Sequence, residues 1–142
     1  NKWWRDRINK ESSLCHYNSM NVLSMHALIG AYKPEGQAWL DELLEVLSGN
    51  INYACDYIEK HFEGVTTSKS EATYMLFVDC TGWCKAHNKT IEELEKACWD
   101  VGVALQDGKM FHGPCHLRFN LAVPFSRVQD AFERLDKHVF NA

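Results

Sequence analysis

From Asn18 onward, apolar residues return at helical spacing: Met20, Val22, Leu23, Ala27, Leu28 and Ala31 fall mostly on one repeat until Pro34 and Gly36 interrupt it. A second stripe, from Trp39, Leu40, Leu43, Leu44 and Leu47 to Ile51, Ala54, Ile58 and Phe62, has Asp41, Glu42, Glu45, Asp56 and Glu59 on its other faces. It predicts a long amphipathic helix ending at Gly64. Gly49 inside it costs about 1 kcal/mol relative to alanine and suggests a kink or a close contact. Ahead of both, Asn1 to His16 is polar and aromatic with no clear period, and reads as a lead-in segment.

The pattern then changes period. Tyr74 to Val78 is a continuous apolar run, which suits a strand buried on both faces, and Val65 to Thr67 supplies a β-branched partner across a turn at Ser68 to Ser70. Thr90 and Glu93 form a capping box that opens a short helix through Trp99, with Gly102 closing it. Val103 to Leu105 reads as a brief strand before the Asp107-Gly108 turn. Leu117, Phe119 and Leu121 alternate with Arg118, Asn120 and Ala122, so Arg118 and Asn120 project together from one strand face. After Pro124, Ser126 to Gln129 reads as a second capping box, leading into a closing helix of Val128, Ala131, Phe132, Leu135 and Val139. Helices packed on one face of a small, largely antiparallel sheet give an α+β architecture.

Composition narrows the function classes. With 142 residues, 46% of them hydrophobic and 24% charged, the chain is expected to form one ordinary domain. A net charge of -4 lacks the basic excess of a nucleic-acid binder. No apolar run approaches the roughly 20 residues that span a bilayer, and the N-terminal residues lack signal-peptide character, so a cytoplasmic chain away from membranes is expected. The chain begins at Asn1 rather than at a methionine, and it reads as a fragment of a larger protein. Its six cysteines fall short of a disulfide scaffold and are read as reduced thiols. Cys80, Cys84 and His87, with Cys15-His16 and Cys115-His116 as further pairs, raise a zinc site, but the second correctly spaced ligand pair is missing and no metal is expected.

No nucleophile elbow, phosphate-cradling glycine loop or zinc-protease helix occurs, so no catalytic residue is assigned. The most pointed polar group is Arg118, whose fork could take the carboxylate of an amino or keto acid or could sit in a surface ion pair. His112 and His116 flank the preceding turn and read as hydrogen-bonded histidines, while Trp3, Trp4, Trp83 and Trp99 read as packing residues. The apolar strand beside a strand carrying Arg118 suggests a sheet that faces a cleft or a second domain.

The stretches Ala31 to Leu43, Leu47 to Ile51, Glu71 to Asp79, Gly102 to Gly108 and Leu117-Arg-Phe-Asn-Leu-Ala-Val-Pro124 together resemble the C-terminal part of class I/II aminotransferases, nearest to the branch of cystathionine β-lyase-like C-S lyases. The resemblance runs in order along nearly the whole chain, and the Arg-x-Asn strand before a closing helix is its most specific element. It implies a lead-in at residues 1–17 from a large domain, then a small domain at 18–142 that closes over pyridoxal phosphate held mainly by that large domain. By the same resemblance Arg118, with Asn120, binds the α-carboxylate of an amino-acid substrate, and the parent enzyme is a homodimer. The cofactor lysine and the ring-binding residues of the family precede the matched region, so the fragment alone is expected neither to hold the cofactor nor to turn over. The loop before Arg118 is shorter than the family's, and Ser70 replaces its usual proline. A stand-alone carboxylate-binding or interaction module is the alternative.

Overall fold

The computed structural model of the chain describes residues 1–15 and 21–142, which divide into the compact units Asn1–Glu42 and Leu43–Ala142. In the first, α1 (Lys2–Leu14) and α2 (Val22–Ala31) each open on an asparagine cap. Asn1 Oδ1 accepts from the Trp3 amide at 3.0 Å, and Asn21 Oδ1 from the Ser24 amide at 2.8 Å. The lead-in segment has no clear period, and its residues Lys2–Leu14 nonetheless form α1. It forms through its cap and a Lys2–Asp6 pair one turn apart, with no apolar stripe to announce it. Neither helix buries a residue; Trp3 and Trp4, expected to pack, are exposed, as are Leu23 and Tyr32. The expected helix start at Asn18 to Met20, and His16 of the Cys15-His16 pair, lie outside the described residues.

The long stripe forms α3 (Pro34–His61). It starts earlier than the stripe suggests, because a proline at the first helical position gives up only an amide that has no partner there. A side chain at Gly49 would meet no atom within 4 Å, so close packing does not account for this glycine.

In the second unit, β1 (Thr66–Thr67), β2 (Met75–Asp79), β3 (Gln106–Asp107) and β4 (His116–Asn120) form one antiparallel sheet in the order β1-β2-β4-β3. The β1–β2 hairpin is as expected. Strand β2 is not buried on both faces: Leu76 and Val78 are fully buried, whereas Phe77 between them is 36% exposed. Its partner β4 alternates in the same register, burying Leu117 and Phe119, so the helices cover only one side of the sheet. The core joins these residues to Ile51, Ala54 and Ile58 of α3, Leu94 and Cys98 of α5 (Ile91–Asp100), and Phe132 and Leu135 of α6 (Phe125–Leu135). This is the expected α+β arrangement.

Three local details differ from the sequence pattern, each for a hydrogen-bonding or packing reason. Residues 81–87 form an unforeseen short helix, α4 (Thr81–His87), which buries Trp83 and Cys84. It is seated where Gly64, at φ +76°, meets Gly82, and a Cβ on Gly82 would lie 2.6 Å from the Gly64 carbonyl oxygen. Residues 103–105 do not pair as a strand, because their backbone serves the end of α5: the Val103 amide donates to Cys98 O at 2.9 Å and Trp99 Nε1 donates to Leu105 O at 2.8 Å. The box expected at Ser126 and Gln129 does not form, since α6 has already begun and Pro124 O accepts from the Arg127 amide at 2.8 Å. A π-helical turn, Asp136–Phe140, follows α6.

The Thr90 box does form, with the Glu93 amide donating to Thr90 Oγ1 at 3.3 Å and the Thr90 amide to Glu93 Oε2 at 2.8 Å. Thr90→Ala is expected to cost about 1 kcal/mol in urea unfolding, with no change in the slope of the transition. No helix among the described residues is long and apolar enough to cross a membrane.

Candidate functional site

The uncovered face of the sheet carries the polar residues that the alternation predicts. Register places Phe77 opposite Arg118, Met75 opposite Asn120 and Asp79 opposite His116, with Gln106 of β3 on the far side of Arg118. Successive strand residues point to opposite faces, so these seven share the side away from buried Leu76, Val78, Leu117 and Phe119.

Arg118 is half-buried at the centre of this face. Its guanidinium carbon lies 4.4 Å over the ring of Phe111, and among the described residues it makes no ion pair and no hydrogen bond. Its Nε is fully buried without an acceptor. A surface ion pair, the other reading of this arginine, is therefore not what the structure contains. A buried, unsatisfied charged donor is costly, and it calls for a functional explanation such as a ligand. A cavity of about 330 Å³ opens beside it, lined by Ser68, Ser70, Thr73, Met75, Phe77, Phe111 and Arg118. Ser70 is committed to holding this rim, its hydroxyl donating to Met75 O at 2.8 Å, and Thr73 adopts the left-handed region at φ +69°.

The rest of the face is ordered around Arg118. His116 stacks on Phe77 with ring centroids 4.5 Å apart, and its Nδ1 is likewise buried without a partner. Asp79 accepts from the Thr81 amide at 2.8 Å, and this contact with Thr81 is the main reason its carboxyl is held below the usual range. Asn120 lies two residues along β4 on the same face, exposed, with Oδ1 accepting from the Ala122 amide at 2.9 Å. Asn120 does not line the Arg118 cavity. His112 sits at the turn with φ +61°.

Two contributors carried no weight in the sequence pattern. Phe111 belongs to a loop without periodicity, and only its position on the approach to Arg118 could have marked it. Asn50 is the one buried polar residue among the described residues, and its Nδ2 donates to Leu121 O and Val123 O, each at 2.8 Å. It thereby pins the exit of β4 to α3. A lone amide on an apolar helical stripe was its available signal.

Gly113 closes the loop against this face. A Cβ there would stand 2.4 Å from Phe77 Cζ and 2.8 Å from His116 Cγ. Gly113→Ala is accordingly expected to cost about 1–3 kcal/mol and to separate the Phe77–His116 stack, the second effect read from the shifted aromatic resonances of His116.

The cysteines build no comparable site. Cys80, Cys84 and Cys98 are buried, and all six cysteines are free. Burial pushes the thiols up, Cys84 and Cys98 each to about 12, with contact to Cys115 adding to the shift at Cys84. His87 stacks on Trp83 at 4.2 Å and its Nδ1 lies 2.9 Å from Trp83 O. Among the described residues no three metal-ligand side chains converge. Of the remaining tryptophans, Trp83 is core and Trp99 is more than half exposed.

No protein-family model matches the chain. It is 29% identical over 146 residues to a Mycobacterium leprae protein named "Putative cystathionine beta-lyase", covering 95% of this chain and 35% of that protein. Among solved structures it is similar to a "PLP-bound putative aminotransferase" from Clostridium difficile 630, at 29% identity and a TM-score of 0.80 over 97% of this chain and 35% of that one. It is also similar to the PLP-bound C-S lyase of Staphylococcus hominis, at 25% identity and a TM-score of 0.78 over 93% of this chain and 35% of that one. The chain thus spans about a third of the length of the proteins it matches.

Proposed function

We propose, from the homology of this chain to cystathionine beta-lyases and to pyridoxal phosphate-dependent aminotransferases and C-S lyases, that it is the small domain of such an enzyme and supplies its substrate-carboxylate site. The observation that carries the reading is Arg118: a guanidinium without an acceptor among the described residues, on an uncovered sheet face, within the Arg-x-Asn strand of the resemblance. Its fork takes a carboxylate through parallel N–H···O bonds, which fixes the amino acid in orientation as well as in place. Holding the substrate in this way lowers the entropy cost of the reaction without making or breaking a bond. Asn120 lies on the same face but outside the Arg118 cavity, and its part in holding the substrate is carried by the resemblance alone.

The residues of this face do not suit the cofactor itself, since no lysine lines the Arg118 cavity. Pyridoxal phosphate, where a larger domain holds it, supplies the electron sink for chemistry at the amino-acid α-carbon. This chain contributes binding, orientation and closure over that site, and by itself neither retains the cofactor nor turns over. Residues 1–17 are assigned to the connection with the larger domain and residues 18–142 to the small domain, the whole acting as a homodimer in the cytoplasm.

The test compares this chain with the gene product read upstream of Asn1. The longer protein is expected to take up pyridoxal phosphate in a borohydride-reducible form and to process L-cystathionine or an amino-acid donor, and the 142-residue chain to do neither. A reading frame that starts at Asn1, or a longer protein that takes up no cofactor, overturns the assignment and leaves a carboxylate-binding module.

A further inference from the structure

We infer that Phe111 is a positioning residue for Arg118, holding its guanidinium so that the N–H fork meets a carboxylate in the adjoining cavity. The inference rests on the reading of Arg118 as a carboxylate ligand and adds the element that orients it.

The geometry is direct. The Arg118 guanidinium carbon sits 4.4 Å over the Phe111 ring, inside the roughly 6 Å range in which a cation is attracted to an aromatic face. A guanidinium whose central carbon is held over a ring keeps outer N–H groups for hydrogen bonding, and a planar fork binds a carboxylate in bidentate fashion. Among the described residues this side chain has no ion pair or hydrogen bond that would orient it. Phe111 is 44% exposed and joins no aromatic stack among those residues, so core packing does not explain its place.

The loop is built to hold that ring. Lys109 to Phe111 form a 3-10 turn in which the Phe111 amide donates to Gly108 O at 2.8 Å. The Gly108 amide donates to His116 O at 2.8 Å and the Gly113 amide to Gly108 O at 3.0 Å, tying the turn to the start of β4. Lys109 is anchored at both ends, its amide donating to Asp107 Oδ1 at 2.9 Å and its ammonium pairing with Glu92 of α5. The chain then reverses at His112 in the left-handed region.

The experiment uses the 142-residue chain labelled with 15N, with propionate as the probe and the Arg118 Nε–Hε cross-peak as the reporter, assigned by its loss in Arg118→Gln. In the wild type the Hε resonance is expected upfield of the ordinary arginine position, from the Phe111 ring current. Phe111→Leu should move it back and weaken propionate binding about fivefold, whereas Phe111→Tyr, which keeps the aromatic face, should restore both. The position is exposed, and an otherwise unchanged amide spectrum verifies the fold of each variant. Propionate binding unaltered in Phe111→Leu, or an Hε resonance that does not respond, overturns the positioning role alone. A wild-type chain that does not bind propionate overturns the carboxylate reading, and the positioning role with it.

Discussion

Phe132→Ala is expected to lower the unfolding free energy by about 3–5 kcal/mol. Phe132 is 1% exposed and is the point where α3, the sheet and α6 meet. Its ring centroid lies 5.5 Å from Tyr57, 5.9 Å from Phe62 and 5.7 Å from Phe119. Those neighbours are held from other directions. Phe62 also stacks on Phe140 at 4.1 Å, and Tyr57 donates to Asp136 Oδ2 at 2.9 Å, so they cannot collapse freely into the space. A cavity that stays open adds its own cost to the lost burial. Against a typical total of about 5–15 kcal/mol, the loss is large enough to leave a measurable unfolded population at room temperature. Urea unfolding measures it, and Phe132→Leu, which retains most of the volume, should recover more than half of the difference.

Arg118→Gln should act in the opposite sense on stability and on binding. Because Arg118 has no acceptor among the described residues and its Nε is buried unsatisfied, removing it breaks no hydrogen bond or ion pair there and costs chiefly its contact with Phe111. The melting temperature should stay level or rise slightly. In the longer gene product, the same change removes the charged partner of the substrate carboxylate, a loss of about 2–5 kcal/mol that corresponds to roughly thirtyfold to several thousandfold in kcat/KM. Arg118→Lys should recover little, since an ammonium supplies the charge without the planar fork. A variant that loses activity and stability together would point to a structural arginine instead.

The parts of the fold legible in the sequence are those in which side chains decide the local backbone. The alternation at Leu117 and Phe119 announces both β4 and the shared face of Arg118 and Asn120, and the Thr90–Glu93 box announces the start of α5. Where distant groups decide, the pattern misleads. Val103 to Leu105 look like a strand, but Cys98 O and Trp99 Nε1 have already claimed their backbone groups. Tyr74 to Val78 look doubly buried because apolar Phe77 points outward to stack with His116, an arrangement set by a partner nearly forty residues away along the chain. Helix α1 left no stripe because it buries nothing.

The candidate site divides in the same way. Arg118 is visible as the polar member of an alternating strand, and the ordered motifs around it carry the resemblance. Its unpaired state and the ring of Phe111 over it depend on how the loop from Gly108 to Gly113 folds back, which no local spacing encodes.

The most direct measurement is a titration of the 15N-labelled chain with L-alanine beside ethylamine, which has the same methyl and ammonium groups but no carboxylate. The account predicts that L-alanine moves the Arg118 Nε–Hε resonance saturably, that ethylamine leaves it in place, and that the wild-type response to L-alanine disappears in Arg118→Gln. An Arg118 resonance that ignores L-alanine, or follows ethylamine equally well, would contradict the assignment of this face to an amino-acid carboxylate.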